Sequence, residues 1–133
     1  MSRREARDTA FKLVFEIPFH GCNYKDRIDF FIENLEIMLS DTDKEYVKKA
    51  VEFCFENLNA IDERITPLLN KWTLTRIPKV SLSILRLGVT EMLYFDEIPY
   101  QVSINEAIEL AKKYGDDDAP AFINGVLDKI AKQ

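Results

Sequence analysis

Three groups of side chains in this 133-residue chain are of types that do chemistry. Arg3, Arg4 and Arg7 stand at its start, followed by Phe11 and Phe15. On a helix, Arg3, Arg7, Phe11 and Phe15 fall on one stripe at i, i+4 spacing, so guanidinium groups and aromatic rings line up on one side. Guanidinium groups bind phosphates, while aromatic and arginine planes stack on unpaired bases, so this order of types suits single-stranded RNA. Basic residues at a terminus are often only solvated, and composition alone favours that blander reading. His20 and Cys22 form the second group. A nucleophile needs a base within reach and usually a third group to orient it, and no such partner is visible around this single histidine. A solvated loop is the expected state. Asp116-Asp117-Asp118 is the third group. Cation loops place ligands at alternating positions, whereas these carboxylates are consecutive, so helix capping explains them better. No glycine-rich phosphate loop and no helical carboxylate–histidine pair occurs, so no metal, cofactor or catalysis is expected.

The groups need elements to hold them, and the chain's organising stretch is Lys79 to Phe95, KVSLSILRLGVTEMLYF. Its first five residues after Lys79 alternate like a strand, but the apolar run continues at three- and four-residue spacing, too far for a typical strand. A membrane span needs about 20 apolar residues, more than this run supplies, and Arg86 and Glu91 interrupt it. The spacing predicts a buried central helix over 79–95, apolar nearly all round and packed by others on every side. Buried, Arg86 needs a partner and reads as half of an ion pair. Gly88 and Gly125 read as points of close helix approach.

Six further helices are predicted around it. Ser2 with Glu5 caps the first, over 2–17, which buries Ala6, Ala10, Leu13, Val14 and Ile17 and stops at Pro18. A second covers 26–39. Thr42 with Glu45 caps a third, with Tyr46, Val47, Ala50, Val51 and Cys54 inward. A short fourth begins at Asn59 and is kinked or split at Pro67. Ser103 with Glu106 caps a sixth that ends at Gly115, and Asp117 or Asp118 caps a seventh with Pro120 in its first turn. The result is an all-α fold of about seven helices.

Hydrophobic residues make up 47% of the chain and aromatics 11%, enough for a packed interior, while only 4 Gly and 5 Pro argue for long regular elements. Net charge is −5, yet residues 1–12 hold four basic against two acidic side chains, leaving 14 basic and 21 acidic beyond them. A basic end on an acidic body places a polyanion at one site and repels it elsewhere. No apolar leader opens the chain and no membrane segment is expected, so a cytoplasmic protein with Cys22 and Cys54 as reduced thiols is anticipated.

The C-terminal third carries more specific information. Ile98-Pro99-Tyr100, Ser103-Ile104-Asn105-Glu106-Ala107-Ile108-Glu109-Leu110-Ala111-Lys112 and Phe122-Ile123-Asn124-Gly125-Val126-Leu127-Asp128-Lys129 closely resemble the NusB family of transcription antitermination factors. The match extends through Leu85-Arg86-Leu87 and Glu91-Met92 to the N-terminal Arg-Arg-Glu-Ala-Arg, over nearly the whole chain. The resemblance implies one NusB-like domain of two small helical subdomains, roughly 1–75 and 76–133. It also implies binding of the boxA segment of nascent ribosomal RNA jointly with NusE, a small-subunit ribosomal protein, within the RNA polymerase antitermination complex. In the family the arginine-rich start of the first helix contacts RNA, which maps here to Arg3, Arg4 and Arg7, with Lys12 as an extension. The last-helix region points to Asp118 and Phe122. The NusE face, around the fourth helix and the connection to the fifth, points coarsely to Leu69, Trp72 and Arg76. Glu5 departs from the family's richest arginine pattern. Some members form homodimers that hide the RNA site, and the sequence leaves this open. A NusB-like module also precedes the catalytic part of some RNA cytosine methyltransferases, but this chain has no room for the α/β domain. A helical protein-interaction module without RNA binding is the remaining alternative.

Overall fold

The computed structural model describes residues 3–20, 23–69 and 73–133. Seven α-helices occur among them and no strand: α1 (Arg3–Glu16), α2 (Tyr24–Glu33), α3 (Asp41–Glu56), α4 (Leu58–Ile65), α5 (Lys79–Tyr94), α6 (Tyr100–Tyr114) and α7 (Ala119–Ala131). α5 is the hub. Ser81 to Leu85 and Leu87 to Glu91 are buried without a break. It packs against α1, α3, α4, α6 and α7, as an all-round apolar surface requires. Two of its hydroxyls bond within the helix: Ser83 donates to the Lys79 carbonyl at 2.8 Å and Thr90 to that of Arg86 at 2.6 Å. Arg86 lies at the half-buried edge of the hub. Its Nε and Nη2 donate to Asp62 of α4 at 2.9 and 2.8 Å, the ion pair expected for it.

The first-helix stripe of Ala6, Ala10, Leu13, Val14 and Ile17 is buried, although α1 ends at Glu16 and Ile17–Phe19 is a 3-10 turn holding Pro18. Pro67 likewise ends α4 at Ile65 and converts Thr66–Leu68 to a 3-10 turn. α2 is shorter than expected. It ends at Glu33, where Asn34 closes it by donating through Nδ2 to the Phe30 carbonyl, and Leu39 reaches the core from outside the helix.

Three caps differ from expectation. Ser40 caps α3 in place of Thr42, its Oγ accepting from the Asp43 N–H at 3.1 Å. α6 starts three residues before Ser103, after Pro99, which supplies a pre-set φ and lacks only a donor that a helix start leaves unused. Ser103 is therefore interior and buried, free to serve another partner. Asp118 precedes α7 with no side-chain cap bond; it is Asp116 that accepts from the Asp118 N–H. The Ser2 cap lies outside the described residues.

Of the two glycines read as close approaches, one is. A Cβ on Gly88 would lie 3.0 Å from Leu127 Cδ1 of α7, whereas one on Gly125 would meet nothing within 4 Å. Gly88→Ala forces a buried leucine to shift, offsetting the helix-propensity gain, while Gly125→Ala keeps that gain. Urea unfolding should therefore rank G125A above G88A by about 1–2 kcal/mol.

Candidate nucleic-acid interface

The tip of α1 is built on a buried carboxylate. Glu91, on the face of α5 toward α1, α3 and α6, accepts from Arg7 Nε at 2.8 Å, Arg7 Nη2 at 3.1 Å, Ser103 Oγ at 2.8 Å and the Tyr46 hydroxyl. Four helices thus meet on one side chain, itself 2% exposed. Burial works against the Arg7 charge, but the hydrogen bonds it donates to Glu91 and the charge of that carboxylate outweigh it and hold the guanidinium above the ordinary arginine value. Burial, then the Glu91 charge beside it, pushes the Tyr46 phenol well up, so it remains a donor.

This corrects the basic–aromatic stripe. Arg7 and Phe11 face inward, Phe11 stacked on Tyr114 of α6 with ring centres 4.9 Å apart. The guanidinium of Arg7 is consumed within the protein and is not available to a phosphate. Glu91 carried a readable signal, since a charged residue in an apolar helix needs a partner as much as Arg86 does.

Arg3, Arg4 and Lys12 project outward, and each meets a carboxylate. Arg3 Nε donates to Asp43 at 3.0 Å with its guanidinium 4.6 Å above the Tyr46 ring centre. Arg4 grips Glu106 of α6 through Nε and Nη2 at 3.0–3.2 Å. Lys12 lies 3.1 Å from Asp8, which also accepts from Lys113 at 3.1 Å and from the Tyr114 hydroxyl at 2.6 Å. The electrostatic lopsidedness expected from sequence is therefore muted, because the fold brings acidic residues of α3 and α6 to the basic tip. Between α1 and α6, Arg4, Asp8, Glu106 and Lys113 line an open cleft of about 380 Å³.

A second groove, of about 440 Å³, gathers Arg76, Ser81, Asp118 and the half-buried ring of Phe122. Asp118 and Phe122 were assigned to RNA and Arg76 to a protein partner, yet the fold places all three together. Leu69 is 1% exposed and belongs to the core, so its assignment to a partner face is corrected. Trp72 and Cys22 lie outside the described residues. His20 is 4.0 Å from Glu16 with no nucleophile described beside it, and among the described residues no cluster of three or more His, Cys, Asp or Glu could hold a metal. Burial pushes the Cys54 thiol up to about 11. No described helix is long and apolar enough to cross a membrane.

The fold is that of an all-α bundle packed around a central buried helix, with exposed cations and an aromatic-lined groove on its surface. The NusB family model matches residues 4–132, and the chain belongs to the NusB family. The transcription antitermination protein NusB of Ruminiclostridium cellulolyticum is 40% identical over 132 residues, covering 99% of this chain and 90% of the relative. The structure of T. maritima NusB superposes with a TM-score of 0.90 at 36% identity, covering 100% of this chain and 92% of that one. A chain from the crystal structure of antitermination factors NusB and NusE in complex with dsRNA matches with a TM-score of 0.85 at 32% identity, covering 99% and 98%.

Two measurements separate the roles of these charges. Glu91→Ala strands a buried arginine and should destabilise the protein by about 3–5 kcal/mol in urea unfolding, whereas Arg4→Ala should leave the midpoint nearly unchanged. For Asp8, burial raises the pKa but the Tyr114, Lys113 and Lys12 bonds overcome it and hold the carboxyl below its ordinary 3.8. A depressed folded value stabilises above the ordinary pKa and is lost as pH falls through the folded one. Asp8→Asn should therefore flatten the pH dependence of stability below about pH 4 and nowhere else.

Proposed function

We propose that this chain is an RNA-binding transcription antitermination factor that holds the boxA segment of nascent ribosomal RNA together with NusE. In this reading it supports processive transcription of ribosomal RNA operons within the RNA polymerase antitermination complex. The observation that carries the reading is the whole-length likeness to a NusB chain whose crystal structure includes NusE and RNA. The geometry supplies a matching division of labour. Arg3, Arg4 and Lys12 serve the phosphates, while the Arg76–Asp118–Phe122 groove offers an aromatic plane and polar edges to a base. The α6–α7 turn leads from the lysines of the first cleft to the aspartates of the second, so one strand can follow both.

About three phosphate contacts on a single strand lose roughly ten- to twentyfold in affinity over a fourfold rise in salt. Cations already facing carboxylates bind more weakly still, so a partner that adds contacts is needed for useful affinity. Titrating a boxA-type RNA with the chain alone and with NusE should show markedly tighter binding in the presence of NusE. Equal affinities would sink the cooperative reading. The in-chain pairing of the arginines favours a second reading, a helical interaction module that binds no RNA. Joint replacement by alanine of Arg4 and Lys12, the two most open to water among Arg3, Arg4 and Lys12, distinguishes the two: on the RNA reading, affinity for the RNA falls while thermal unfolding stays in place.

A further inference from the structure

The two arginine–carboxylate pairs of the tip are alike in chemistry and opposite in setting. The side chains of Arg7 and Glu91 are 7% and 2% exposed, and separating them would leave uncompensated charge in the core. Arg4 is 63% exposed, so water already competes for its guanidinium and its hold on Glu106 is readily given up. The grip itself is side-on and two-pronged, through Nε and Nη2, the geometry in which arginine takes a phosphate. Across the cleft, Lys112 and Lys113 in the last turn of α6 are 61% and 63% exposed. The lining carries four cations and, in Glu5, Asp8, Glu106 and Glu109, four carboxylates, so an added anion meets little net attraction while Glu106 occupies Arg4.

Glu106 has somewhere to go. Arg7 uses Nε and Nη2 on Glu91, and its Nη1 lies 3.9 Å from Glu106 Oε1. A small swing takes the carboxylate from Arg4 onto Arg7, where it keeps a cationic neighbour. We propose that Glu106 stands in for an RNA phosphate on Arg4, and that RNA enters the α1–α6 cleft by exchange, its phosphodiester taking Arg4, Lys112 and Lys113 as Glu106 moves to Arg7. This rests on the RNA-binding reading above and adds the α6 lysines and Glu106 to the site. Glu106 acts as a positioning residue that sets the threshold for binding.

The test uses the full chain with its NusE partner and a single-stranded boxA-type oligoribonucleotide. Glu106→Gln should tighten RNA binding about two- to fivefold at low salt, and the gain should vanish when Arg4→Ala is added. In the unmodified protein, the Arg4 Nε–H resonance should shift on RNA addition while that of Arg7 Nε–H, fixed on Glu91, stays. Unchanged or weaker binding by a folded E106Q overturns the exchange, as does RNA binding that leaves the Arg4 resonance unmoved. If E106Q does not fold, the resonance measurement on the unmodified chain decides. Failure of the unmodified chain to bind RNA in any condition overturns the functional reading itself, an outcome distinct from binding with Arg4 at rest.

Discussion

A carboxylate in the middle of a protein has to be fully satisfied or it is not tolerated, and Glu91 organises this fold on that condition. It accepts from Arg7 of α1, Tyr46 of α3 and Ser103 of α6, so the hub helix is tied to three neighbours through one residue. Apolar packing is indifferent to small rotations of a helix; a carboxylate with four directed bonds is not. The register of α1 against α5 follows from it, and with that register goes the outward aim of Arg3 and Arg4. Among the described residues no buried side-chain polar atom is left without a partner.

The arginine cluster is thereby divided. Residues close in sequence and identical in charge have unequal roles, because Arg7 lies a turn deeper along α1, against α5, while Arg3 and Arg4 stand at its open end. Arg7 is part of the frame. Arg3 and Arg4 remain at the surface, each restrained by an acidic residue from another helix. The Arg4–Glu106 pair, open to water, contributes little to stability, which is what makes it exchangeable, whereas the Asp43 partner of Arg3 is buried.

Surface shape joins these charges to an aromatic element. Lys112 and Lys113 end α6, Gly115 turns the chain, and Asp118 and Phe122 open the second groove beside Arg76. Charge and stacking surface therefore meet at one end of the α6–α7 pair. The balance of acids and bases keeps the intrinsic attraction of this surface for an anion modest.

Hydrophobic periodicity was sufficient for the all-α class, for the central helix and for the inward faces of α1 and α3, because burial of apolar area is a local property of the pattern. Motif content was sufficient for the family. Cap positions were less legible: Ser103 had the spacing of a helix start, but its hydroxyl is wanted by Glu91, and Pro99 begins the helix instead. Gly88 and Gly125 could not be told apart, since only the opposing helix decides whether a Cβ has room. Nor could sequence tell Arg7 from Arg4, or show that Asp43 and Glu106 face the basic tip across 40 and 102 residues of chain. Ion pairing depends on which surfaces tertiary packing brings within a few ångströms, and no one-dimensional charge pattern contains that distance.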